Sequence, residues 1–349
     1  MAGKDIKLSL WALDPSINIE SVSELMTLNY NKPIDYLSDR PGISSFDRTL
    51  MNRWREYKPD QGFEVQEIEV FDTTFRYIPA KAYFETTVGL NQAIVNGTVL
   101  PREYRISDNE LPVFFFEYIG RVYVIVSGSE YKVSSIRKLL MGHGRHATEE
   151  QKQWQKVHLK DIPNYNFTSD FFYWLISKEN QIVETSLVKM EISDIRFLAQ
   201  TGTERSDVRH ESQGANILDE AVSKTGLGVN SRVDKIGTTI SFEGGHINLI
   251  IFDNGACWVD NYSSAMNGVA GELEAFEENL ETGTLTLFCG ILPELRTAYN
   301  TEKDDDKWTT GHQAAARKLW ALGAINELCS ENEITLDEIS QLEWFFNKR

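Results

Sequence analysis

One stretch constrains the fold of this chain more than any other: Val113-Phe114-Phe115-Phe116-Glu117-Tyr118, then Ile119-Gly120, then Arg121-Val122-Tyr123-Val124-Ile125-Val126. Two runs of aromatic and β-branched residues joined by two residues read as a β-hairpin. The second run is apolar at successive positions, so both of its faces are expected to be buried. Such a strand needs cover on both sides, and the helical pattern of Lys132 to Leu140 supplies one layer. A hairpin followed by a helix points to an α+β fold built on a mixed sheet.

The rest of the chain fits that class. Ile6 to Leu13 reads as a strand and Ile19 to Leu28 as a helix. Phe63 to Phe71 has a half-exposed strand pattern. Tyr83 to Val95 reads as a helix ended at Asn96-Gly97, and 141–165 as a polar loop or surface helix. Phe171 to Ile176 is helical in spacing, and Val183 to Leu198 reads as one or two strands. Ile217 to Val222 reads as a short helix stopped by Gly226 and Gly228. Val233 to Phe242 and Ile247 to Phe252 form a second hairpin, its Gly-Gly pair providing the positive dihedrals of a tight reversal. Leu273 to Leu280 reads as an acidic helix and Leu285 to Leu292 as a buried strand ended by Pro293. Thr309 to Cys329, capped by Thr310, is the longest helix. A capping box at Thr335 opens a last one, carrying Ile339, Leu342, Phe345 and Phe346. The reading divides the chain into an N-terminal α+β domain (1–165), a middle β-rich domain (166–258) and a mainly helical C-terminal region (259–349).

Composition excludes several classes. With 41% apolar and 25% charged residues in 349, the chain has a globular composition. No run approaches the ~20 apolar residues of a membrane span. The first residues lack a secretory pattern, and no membrane insertion is expected. Three widely spaced cysteines, Cys257, Cys289 and Cys329, point to a reducing, cytoplasmic setting and to packed thiols. No P-loop, G-x-G-x-x-G or G-x-S-x-G motif occurs. The chain is expected to be non-catalytic and to need no cofactor or metal.

Charge is the most informative remaining feature. The net charge is −17. Residues 121–160 nevertheless carry eight basic side chains (Arg121, Lys132, Arg137, Lys138, Arg145, Lys152, Lys156, Lys160) against three acidic ones. Residues 260–349 carry 17 acidic and seven basic. Screening limits a charge's reach to about 8 Å, so a local basic face can hold phosphates on an acidic protein. The candidate nucleic-acid contacts are Lys132, Arg137, Lys138, Arg145, Lys152, Lys156 and Lys160, with Arg205 and Arg209 closing from the middle region. Binding through such residues is sequence-tolerant, because contacts to phosphate carry no base information. The alternative is that these residues form a solvated face.

Two weaker motifs point to metal chemistry. His143-Gly144-Arg145-His146 is an H-x-x-H, with His158 and Glu149 as further ligands, but its spacing fits no metalloenzyme pattern. Glu130-Tyr131-Lys132 is the E-x-K triplet of metal-dependent nucleases, with Asp108 or Glu110 as the upstream acid. Trp320, Leu342 and Phe345, on the apolar stripes of the last helices, are candidate dimer or partner contacts.

The order of elements resembles that of the RexA-like phage-exclusion proteins. Three pieces carry the resemblance: the strand and helix of Ile6 to Leu28, the hairpin and helix VFFFEYIGRVYVIVSGSEYKVSSIRKLL at 113–140, and residues 190–252, including ISDIRFLAQTGTERSD at 192–207. The resemblance implies a homodimer that grips duplex DNA without strong sequence preference and acts as a sensor or effector of anti-phage defence. It also admits a membrane-protein partner. The competing readings are a protein-interaction subunit of a defence complex without nucleic-acid contact, and a metal-dependent nuclease.

Overall fold

The computed structural model describes residues 5–144, 147–202, 208–268, 272–335 and 337–340. The class is α+β. The chain forms two compact units: Met1–Asn166 with Asn254–Trp258 and Phe276–Leu292, and Phe167–Asp253 with Val259–Ala275 and Pro293–Arg349. The segment 259–349 thus contributes to both. No helix among the described residues is long and apolar enough to cross a membrane.

The first unit is built on β1 (Ile6–Ala12), β2 (Asn52–Glu56), β3 (Gln66–Val70), β4 (Thr73–Thr87), β5 (Ile106–Tyr118) and β6 (Arg121–Ser127). β1 pairs with β6, β6 with β5, and β5 with β4; β2 and β3 share the far edge of the long β4. These ladders all run antiparallel, rather than forming the mixed sheet that the sequence suggested. Tyr118 pairs with Arg121. Ile119 (φ 48°) and Gly120 (φ 69°) make the two-residue reversal that a right-twisted hairpin requires.

Both faces of β6 are covered, and Val122 to Val126 are all buried. On one face, Ile78, Val113, Phe115, Val122 and Val124 pack beneath α1 (Ile19–Met26) and α2 (Glu130–Leu139), which contribute Ile19, Val22, Val133 and Ile136. On the other, Phe116 and Tyr123 stack on each other and meet Tyr165 edge-on, and Tyr165 also meets Phe288.

The second unit contains β7 (Gln181–Glu184), β8 (Lys189–Thr201), β9 (Arg209–Gln213), β10 (Arg232–Phe242) and β11 (Gly245–Phe252). β8 pairs with β7, β9 and β10, and β10 with β11. The helix α4 (Ser169–Ser177), which follows the one-turn α3 (Glu149–Lys152), has six consecutive buried residues from Phe171 to Ile176.

Several sequence expectations are corrected. Tyr83 to Val95 is not a helix. β4 runs to Thr87 because Tyr83 to Thr87 pair residue by residue with Ile106 to Glu110, and only the turn Leu90–Ala93 is helical. The short helix is α5 (Ala221–Gly228), beyond Ile217, and it includes the expected stop glycines. Gly226 and Gly228 are there for packing: a Cβ would meet the Gln200 side chain at the first and Ala321 at the second. In the second hairpin only Gly245 takes a positive φ, where a side chain would strike the Ala265 carbonyl.

Leu273–Ala275 is a strand paired with Ala265–Asn267, and helix α6 spans Leu280–Leu285. The apolar run Leu285 to Leu292 is a wide helical turn (Thr286–Ile291) leading into α7 (Leu292–Asp304). Pro293 has no N–H to give the carbonyls behind it. The Tyr165 hydroxyl donates to the Phe288 carbonyl instead, at 2.5 Å. The longest helix, α8, spans Thr310–Glu331 with Thr309, not Thr310, as its cap.

Candidate nucleic-acid interface

The basic segment is positioned from within the core. α3 is closed by a reciprocal cap between Thr148 and Gln151. The buried Gln151 amide donates to the Leu139 carbonyl at 2.6 Å, tying α3 to the end of α2. Trp154 and Val157 are buried in the core beneath the sheet, and Leu159 packs against it. His158 then pairs with the end of β1. Its N–H donates to the Ala12 carbonyl at 2.8 Å, and the Ala12 N–H donates to the His158 carbonyl at 3.0 Å.

Side chains of an extended segment alternate in direction. With Val157 and Leu159 turned inward, Lys156, His158 and Lys160 line the opposite side. Lys156 and Lys160 are exposed, and neither makes an ion pair among the described residues. Arg121, at the start of β6, joins this end of the sheet: its Nε donates to the Leu13 carbonyl at 3.0 Å. Burial, and then the charges of Arg121 and Lys156, hold the His158 imidazole below its usual pKa, against the opposing pull of Asp14. Two cationic side chains, Arg121 and Lys156, therefore act on one imidazole, opposed by the single acid Asp14. An anion placed there would relieve that repulsion.

The α2 cations do not share a face. Lys132, Arg137 and Lys138 are about 100–140° apart around the helix axis. Arg137 is partly buried, with its guanidinium 5.7 Å from the centre of the Trp11 ring. Burial pushes its pKa down. Lys138 is exposed beside the α3 clip, and Lys132 is half-buried. Lys152 is engaged by Glu149 at 2.5 Å. Arg145 lies outside the described residues.

In the second unit, Arg209 is bound by Glu211 at 2.8 Å. Arg232 is bound by Asp234 at 2.7 Å and Asp253 at 2.9 Å. Carboxylates thus offset the cations of β9 and β10. Arg205 lies outside the described residues. Trp320 packs against Tyr173, ring centres 5.8 Å apart, and Leu342 and Phe345 lie outside the described residues.

Glu130 sits in the first turn of α2. Glu110 is held by Arg55 at 2.7 Å and Lys81 at 3.5 Å. Among the described residues, no group of three or more His, Cys, Asp or Glu is arranged to hold a metal ion. Cys257 and Cys289 are buried, and burial raises both thiol pKa values.

Sequence reading counted Arg121 among the basic side chains of 121–160 but named neither Arg121 nor His158 as a contact. The signal was present in Lys156-Val157-His158-Leu159-Lys160, a strict polar–apolar alternation inside a stretch read as loop. No protein-family model matches the chain, and no curated protein matches it.

Proposed function

We propose that this chain is a non-catalytic, sequence-tolerant DNA-binding protein. It would grip the duplex backbone with Arg121, Lys156, His158 and Lys160, extended by Lys138. The observation that supports this reading is the row of exposed lysines, unpaired among the described residues and mounted on a segment whose alternate residues are fixed in the core. A cation already held by a carboxylate must lose that partner before it can take a phosphate. A free cation on a rigid backbone has only its side-chain entropy to lose. Lys138, Lys156 and Lys160 are therefore the principal contacts, ahead of Lys152 and Arg209. A role in phage defence rests on the resemblance in element order alone.

The test is fluorescence anisotropy with two unrelated duplexes at low salt. Lys156→Glu with Lys160→Glu should weaken both complexes equally, and Lys152→Glu should act less. Loss for one sequence only would refute backbone recognition. Absence of binding by the wild-type chain would make a protein-interaction subunit the leading account.

A further inference from the structure

We infer that α8 is a self-association surface, and that its occupant is the α8 of a second copy of this chain, antiparallel about a two-fold axis at Leu322. This inference is independent of the nucleic-acid reading.

α8 has one side packed within its own unit. Ala324 is buried there. Gly228 approaches Ala321, and Gly323 approaches Lys224. Glu327 accepts from the Ala221 N–H at 3.0 Å and pairs with Lys224 at 3.1 Å. Trp320 meets Tyr173. At 100° per residue, Leu322 points almost directly away from Ala324. A helix packed on one side needs only one apolar stripe, yet α8 carries a second. Ala315, Leu319, Leu322, Ile325 and Cys329 all lie within about 60° of Leu322 around the axis. Leu319, Leu322 and Ile325 are 70%, 51% and 50% exposed.

Charge favours a second copy as the occupant. In a chain with 52 acidic residues, the stripe has none. The acids of α8, Glu327 and Glu331, are about 140° and 180° from Leu322. The stripe is also self-complementary. An antiparallel two-fold at Leu322 sets Leu319 against Ile325 of the other copy and Ala315 against Cys329. It sets Lys318 against Asn326, whose carboxamide oxygen accepts its proton. A parallel arrangement would set Lys318 against itself. An isologous contact requires such a match of a surface with its own rotated image.

The experiment is sedimentation equilibrium of the full chain, with circular dichroism as the check on folding. The wild type should have twice the chain mass. Leu322→Asp should weaken association by about 100-fold or more, because the axis brings two carboxylates together in an apolar contact. Its site is half-exposed, so the fold should persist. Leu322→Cys should form a disulfide-linked dimer on mild oxidation, since only residues at the axis face their own counterpart. A monomeric wild type, a dimer indifferent to Leu322→Asp, or an uncrosslinked Leu322→Cys would each overturn the inference. A monomeric wild type with an uncrosslinked Leu322→Cys is the outcome if the chain's own residues beyond Thr335 cover the stripe instead.

Discussion

Removing the Trp154 side chain should be among the most destabilising single changes in the first unit. Trp154 is fully buried. Its ring lies 5.8 Å from Phe115 and 5.7 Å from Trp54, centre to centre. Its Nε1 donates to the Tyr30 hydroxyl at 2.8 Å, and that hydroxyl donates to the Leu25 carbonyl of α1 at 2.6 Å. Trp154→Ala should cost about 3–5 kcal/mol, the range for deleting a large buried aromatic. Trp154→Phe keeps the stacking and loses the donor, so about 1–2 kcal/mol is expected. Tyr30 retains its own bond to Leu25 in either variant. A cycle with Tyr30→Phe should therefore give a coupling of only about 1 kcal/mol. Urea denaturation followed by circular dichroism measures all three. Since the anchor fixes Lys156 to Lys160, folded Trp154→Phe should bind DNA as the wild type does. A loss below about 1 kcal/mol for Trp154→Ala would mean that this segment is not seated in the core.

Two further outcomes follow from single residues. Ile119 is β-branched, 73% exposed and held at φ 48°, so Ile119→Asn should stabilise the chain by about 0.5–1 kcal/mol in the same assay, and destabilisation would contradict the turn geometry. The pKa of His158 is lowered in the folded chain, so the unfolded chain takes up that proton first; stability should fall as pH drops through about 6.5, and the loss should end once pH is below the folded value. A bound phosphate should raise the His158 pKa and make DNA binding tighten over that window. An NMR titration of the imidazole with and without duplex checks the sign, and an unchanged pKa would place the phosphate elsewhere.

The legible parts of the fold were those where local pattern and tertiary burial agree. The 113–126 hairpin was readable because its turn chemistry and β-rich runs point the same way. Leu285 to Leu292 was not, because a short, continuously apolar run has no period to separate a buried helix from a buried strand. Tyr83 to Val95 failed because pairing with β5 overrides local helical spacing. At the candidate site, nearness in sequence was a poor guide to a shared face. Arg137 turns toward Trp11 while its neighbour Lys138 points to solvent. Arg209 sits beside a carboxylate two residues along its own strand. In α8 the residues Leu319, Trp320, Leu322 and Ile325 read from the sequence as a single apolar stripe, and only the packed positions of Trp320 and Ala324 separate an inner side from the exposed outer one.

The salt dependence of DNA binding tests the central claim most directly. Each phosphate contact contributes about 0.9 to the slope of log affinity against log salt. Arg121, Lys138, Lys156 and Lys160 together predict a slope near −3.6, an affinity loss of about 150-fold between ~50 and ~200 mM monovalent salt. Lys156→Ala with Lys160→Ala should halve the slope and reduce the loss to about 12-fold. A wild-type chain that does not bind duplex DNA at ~50 mM salt, or binds with a slope unchanged by those two substitutions, would contradict the account.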